Sequence, residues 1–200
     1  MLIDPQFART ERRIARLRST LEHRQHDLHL VLENVHDPHN VSAVLRTCDA
    51  VGVAEVHLVY SNESFPTIGK TSSASAYKWT TLVQHDSIDV CYRVLREKGC
   101  RIFATDLTER AEDLYSIDLA SPVALVFGNE HRGVSDEAST LADGNLRIPM
   151  VGLIRSLNIS VACAVTLYEA MRQRKVAGRY DAPSMPQDVL DATLAEWSAR

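Results

Sequence analysis

The sequence predicts an α/β domain with a mainly parallel sheet and helices on both faces. Three observations carry that prediction. Segments of two-residue apolar alternation are interleaved with segments of helical periodicity. Pro122 to Phe127 is almost continuously apolar, which suits a central parallel strand covered on both faces. Gly52 and Gly99 stop the first two core helices, so each is closed before the next strand begins.

The elements follow in order. Residues 6–24 read as a helix, with Arg9, Arg12, Arg13 and Arg16 on one face and an apolar stripe of Ile14, Leu17 and Leu21 beside it. Leu28 to Glu33 is a strand. A polar loop starts at Asn34. Pro38 disfavours helix at Asp37, so the next helix starts after it, capped by Asn40 or Ser42. Its core face carries Val41, Val44, Leu45, Cys48 and Val51. Arg46 falls about 140° from Val41, off that face.

Glu55 to Tyr60 is a strand, residues 61–77 a long polar loop, and Trp79 to Val83 a short strand. Ser87 caps a helix to Lys98. Arg101 to Thr105 is a strand, 134–142 a short helix, and Asn145 to Ile148 the last strand. Asn158 to Lys175 is the longest core helix. Its first half is small and apolar nearly all round, which suits burial on several sides, in part by another subunit. Pro183 and Pro186 lead to a short helix with Val189, Leu190, Leu194 and Trp197. Three segments result: a basic helix at 1–26, a central domain at 27–176, and a C-terminal extension at 177–200.

The 200 residues suffice for one core with short terminal additions. No run approaches the ~20 apolar residues that span a bilayer, and Met1 to Pro5 lacks a signal-peptide core, so a cytoplasmic location is expected. Cys48, Cys91, Cys100 and Cys163 form no Cys-x-x-Cys pair and read as buried thiols. His36, Asp37 and His39 read as a polar loop in preference to a metal site, and no metal is expected.

The net charge of −4 carries no nucleic-acid signal, but its distribution does. Arg9, Arg12, Arg13, Arg16, Arg172 and Arg174 are candidates to contact an RNA backbone, with Lys70 a weaker one. The other readings are a solvated helix face for the first group and compensation of a helix C-terminus for the last two.

Ligands of parallel sheets bind beyond the carboxyl ends of the strands. Asn34, Asn40, Gly128, Asn129, Glu130, Arg155, Ser156 and Asn158 all follow strands, so they should gather on one edge. There is no Gly-x-Gly-x-x-Gly, no Walker lysine loop and no Gly-x-Ser-x-Gly elbow. Singly, Gly128-x-Glu130-x-x-Gly133 and Ser156-x-Asn158 are weak: glycines bracket many turns, and Ser or Asn caps many helices.

Together they are more specific. Asn40 with Arg46, then Gly128-Asn129-Glu130-His131-Arg132-Gly133, then Ile148-Pro149-Met150 with Ser156-Leu157-Asn158-Ile159-Ser160 resemble the three ordered motifs of the SpoU-type RNA ribose 2′-O-methyltransferases of the SPOUT superfamily. The resemblance spans residues 28–175. His36 to Ala43 and Tyr168 to Arg174 are similar to the subgroup that methylates the ribose of guanosine 18 in the tRNA D-loop. Another RNA site, such as one in ribosomal RNA, and a non-catalytic RNA-binding protein of the same fold are the alternatives.

The resemblance implies a C-terminal trefoil knot, a homodimer, and S-adenosylmethionine (SAM) as methyl donor. By position the donor would be held at Thr105, Gly128, Ile148 and Leu157, with Met150 nearby. It implies tRNA as partner, with neither DNA nor membrane. It puts Arg46 at the catalytic position, with Asn40, Glu130, Ser156 and Asn158 arranging Arg46, ribose and donor. Two roles for Arg46 stay open. It deprotonates when RNA organises it, or it stays charged, fixes a phosphate and stabilises the developing alkoxide. The high pKa of arginine favours the second.

Overall fold

The computed structural model describes residues 5–61, 66, 76–108 and 110–200. Among them, seven strands form one parallel sheet: β1 (Gln25–Glu33), β2 (Val53–Val59), β3 (Thr81–His85), β4 (Arg101–Thr105), β5 (Glu112–Asp113), β6 (Val123–Phe127) and β7 (Gly144–Arg147). Their order is β3-β2-β1-β6-β4-β7-β5. Six α-helices accompany them: α1 (Pro5–Glu22), α2 (Pro38–Val51), α3 (Ile88–Glu97), α4 (Asp136–Leu141), α5 (Ile159–Val176) and α6 (Gln187–Ala199).

The predicted class is the observed one, and the strands explain why. Side chains alternate between faces along a strand, so a strand covered on both sides must be apolar at nearly every position. Leu28, Leu30, Leu32, Leu125 and Phe127 pack with α2 and α5 on one face. Val31, Val126, Ile102 and Ala104 pack with α3 and α4 on the other.

Helix α2 begins earlier than predicted. Asp37 is its cap, with its carboxylate accepting from the His39 amide at 2.8 Å, and Pro38 occupies the first turn. Proline fits there because an amide hydrogen at that position would have no partner within the helix. Asn40 is thereby released from capping for a different task. Gly52 ends the helix at φ 92°, and a Cβ there would meet the His23 carbonyl at 2.7 Å.

Strand β3 starts two residues later than predicted. Trp79 turns away and packs against Trp197 of α6, with ring centroids 5.1 Å apart. A separate cluster of Leu17, Leu21, Met185, Leu190, Leu194 and Trp197 joins α1 to α6. Ile14, expected in that stripe, is 38% exposed. Arg24 is buried beside the cluster and donates to the Val53 and Trp79 carbonyls and to Asp49.

Arg174 requires a correction. It is fully buried, so it is not available to RNA. Its guanidinium donates to the carbonyls of Leu119, Ser121 and Asp27, to Gln25 Oε1, and to the Asp27 carboxylate at 2.5 Å. It ties the end of α5 to the start of β1.

Candidate active site

The sheet ends its strands on one edge, and the loops leaving β1, β4, β6 and β7 meet there. Those leaving β4, β6 and β7 enclose a cleft of about 560 Å³, within the range of small-ligand sites. Thr105, Gly128, Ile148, Met150 and Leu157, the five positions expected to hold the methyl donor, all line it. So do Glu130, Ser156 and Asn158.

The loop after β6 is shaped by its two glycines. A Cβ on Gly128 would lie 2.1 Å from the backbone of Gly133. Gly133 itself has φ 71° and donates its amide to the Asn129 carbonyl at 2.8 Å. The Asn129 side chain braces the same loop. Its Nδ2 donates to the Asn34 carbonyl at 2.9 Å, and its Oδ1 accepts from the His131 amide at 2.9 Å. Asn34 has φ 51°, a left-handed conformation that Asn tolerates better than most residues.

This geometry aims Glu130 at the start of α2. Its carboxylate accepts from the amides of His36 and Asp37 at 3.1 Å each and from Asn40 Nδ2 at 3.0 Å. Partial burial pushes the Glu130 carboxyl up, but the hydrogen bonds from Asn40 and the backbone outweigh it and hold its pKa below the ordinary value. Asn40 Oδ1 in turn accepts from Asn158 Nδ2 at 3.1 Å. Asn158 caps α5, its Oδ1 accepting from the Ser160 amide at 2.9 Å and hydroxyl at 2.6 Å. A relay Glu130–Asn40–Asn158 therefore links the loop after β6, the first turn of α2 and the cap of α5, which are distant in sequence.

Asn34, Asn40, Asn129, Glu130 and Asn158 are thus brought together as expected. Ser156 and Arg155 are exposed, and Ser156 faces the cleft. Arg46 is exposed on α2, as its helical position predicts. It is absent from the cleft lining and has no ion pair among the described residues. Among the RNA candidates, Arg12, Arg13 and Arg16 are exposed on α1. Arg172 is exposed and paired with Glu169 at 2.8 Å. The Arg9 side chain and Lys70 lie outside the described residues.

Sequence reasoning missed the His36 and Asp37 amides and the lining residues Asp106 and Leu107. Backbone donors leave no mark in residue type. The Asp37–Pro38 pair was the available signal, since Asp before Pro is a strong helix start.

Residues 27–168 match the family described as SpoU rRNA Methylase. The chain is 49% identical over 189 residues to a Thermus thermophilus tRNA (guanosine(18)-2′-O)-methyltransferase, covering 94% of this chain and 97% of that one. It is 44% identical over 168 residues to the Escherichia coli protein of the same name, covering 84% and 73%. Among solved structures, the A. aeolicus TrmH/SpoU tRNA modifying enzyme superposes with a TM-score of 0.89 at 37% identity, over 95% and 96% of the two chains. The SpoU methyltransferase AviRb from Streptomyces viridochromogenes, in complex with the cofactor AdoMet, superposes with a TM-score of 0.66 at 26% identity, over 78% and 62%. The chain belongs to the SpoU methylase family.

Proposed function

We propose that the protein transfers a methyl group from SAM to the ribose 2′-oxygen of guanosine 18 in the tRNA D-loop. The observation that carries the reading is the relay Glu130–Asn40–Asn158 standing at a cleft lined by all five expected donor positions. The names of its relatives support tRNA over ribosomal RNA as the substrate.

The cleft fits SAM on its own terms. Its volume is adequate, and its wall mixes apolar Leu107, Phe127, Ile148 and Leu157 with polar Thr105 and Asp106, as a donor with an apolar and a charged part requires. Thr105, Gly128, Ile148 and Leu157 would hold the donor, with Met150 beside it. When bound, SAM supplies an electrophilic methyl carbon. The chain's own groups do the rest. Asn158 and Ser156 orient the ribose at the cleft mouth. Glu130 and Asn40 fix the start of α2, and with it the direction of Arg46. Arg46 stays charged, seats an RNA phosphate and stabilises the alkoxide as its proton leaves to solvent. Its exposure supports this role, since no carboxylate among the described residues competes for it.

Arg9, Arg12, Arg13, Arg16 and Arg172 bind the tRNA backbone. No helix among the described residues is long and apolar enough to cross a membrane. We assign the C-terminal segment the family's trefoil knot and the protein a homodimeric state in the cytoplasm. The apolar residues Val151, Leu153, Ile154 and Val161, all exposed in the chain alone, support the dimer. The divisions at 26 and 176 separate terminal additions from the methyltransferase domain.

The test is methyl transfer to two synthetic tRNAs that differ only in the 2′-hydroxyl of guanosine 18. The reading expects transfer to the ribonucleotide and background signal with the 2′-deoxy nucleotide. Equal transfer to both would move the target elsewhere.

A further inference from the structure

Three imidazoles cross the sheet in a row on the side covered by α3: His29 of β1, His57 of β2 and His85 of β3. His29 Nδ1 lies 3.1 Å from His57 Nε2, and His57 Nδ1 lies 2.8 Å from His85 Nε2. His29 and His57 are fully buried, and His85 is half-buried at the sheet border. None of them lines the cleft.

A neutral imidazole has one donor and one acceptor nitrogen, so the row runs its hydrogen bonds in one direction. Whichever direction holds, His29 Nε2 is left buried without a partner among the described residues. Such a row costs more to bury than the Val or Leu that sheet packing alone would select. Cys91 of α3 faces it. The ligand atoms of His57, His85 and Cys91 all lie within 4.8 Å of one another.

We propose that His57 Nδ1, His85 Nε2 and Cys91 Sγ bind a divalent transition-metal ion of the zinc type, which pins α3 to β2 and β3. Two ring nitrogens and one sulfur are a donor set for a borderline-soft ion. Metal–nitrogen bonds of about 2.0 Å in tetrahedral geometry place two such nitrogens about 3.3 Å apart, so the present pair separates by only about 0.5 Å. Binding through Nδ1 turns the His57 Nε2–H toward His29 Nδ1. That outer hydrogen bond orients a ligating histidine, and it makes His29 a positioning residue. Cys91 releases its proton to solvent as the sulfur–metal bond forms. Without an ion, burial pushes the thiol up to about 12, which leaves it unreactive. Three protein ligands leave a fourth position for water.

A neighbouring set, His29, Glu55 and His57, also converges. The Lys98 ammonium already occupies the Glu55 carboxylate, and it would repel a dication there. The site is placed at Cys91 for that reason.

The test titrates metal-free, full-length protein with Co²⁺ and Zn²⁺. The proposal expects one ion per chain, a tetrahedral Co²⁺ visible spectrum with a thiolate charge-transfer band, and a Tm that rises with Zn²⁺. Cys91→Ser should remove the charge-transfer band. His85→Gln, at the half-buried position, should weaken Co²⁺ binding by roughly tenfold or more and stands as the test if Cys91→Ser does not fold. Methyl transfer should be unchanged in both. Absence of saturable binding would overturn the proposal. So would binding that survives both substitutions unchanged, because the ion would then sit elsewhere.

Discussion

Asn40 joins Glu130 to Asn158 because a side-chain amide both donates and accepts. Asn40→Asp removes the donor and sets two carboxylates face to face. We expect kcat to fall about 100-fold, as misplacing a catalytic group does, with the fold retained by circular dichroism. Glu130 gives the pH dependence. Its folded pKa lies below the unfolded value, so its contribution is fully present above about pH 4.3 and is lost as pH falls through the lower folded value. Acid unfolding of the wild type should therefore begin below about pH 4 at this site. In Glu130→Gln that acid-dependent part of the loss should be absent, with lower stability at neutral pH, measured by denaturant titration. The order of strands placed Glu130, Asn40 and Asn158 on one sheet edge, and the family resemblance, not residue type alone, singled them out. Residue types could not separate Arg172 from Arg174. Two helical positions turn the side chain by about 200°, and the partner that claims Arg174, Asp27, lies at the far end of the chain.

At the scale of elements, boundaries were legible where a cap or a glycine marks them, at Gly52, Ser87, Gly99 and Asn158. They were not legible where tertiary packing decides. Trp79 reads as a strand residue until Trp197, from the other end of the chain, draws it out of the sheet. Two predictions belong here. Gly128→Ala forces a Cβ into the Gly133 backbone, so the loop must move. We expect loss of SAM binding by calorimetry while most of the thermal stability remains. Arg174→Ala leaves the Asp27 carboxylate and three carbonyls without their buried donor. It should cost about 3–5 kcal/mol in chemical denaturation. Arg172→Ala, which removes an exposed arginine from its pair with Glu169, should leave the denaturation midpoint close to that of the wild type.

At the scale of the molecule, the parallel sheet and its functional edge were legible because both follow from period and order. The pairing of α1 with α6 was not, since nothing local links helices at opposite ends of a chain. That pairing carries the exposed arginines of α1 on a fixed support. Replacing Arg12, Arg13 and Arg16 by Gln should weaken tRNA binding and lower its salt slope by about 1 for each phosphate no longer neutralised. Leu153→Glu places a charge in the exposed apolar segment. It should convert the proposed dimer to a monomer in light scattering. The most direct measurement incubates labelled SAM with unmodified tRNA, maps the labelled nucleotide by mass spectrometry, and runs Arg46→Ala in parallel. Label on the ribose of guanosine 18 with the wild type, absent with Arg46→Ala, is the expected result. Label on a base, or full activity in the Arg46 variant, would be incompatible with ribose methylation through Arg46.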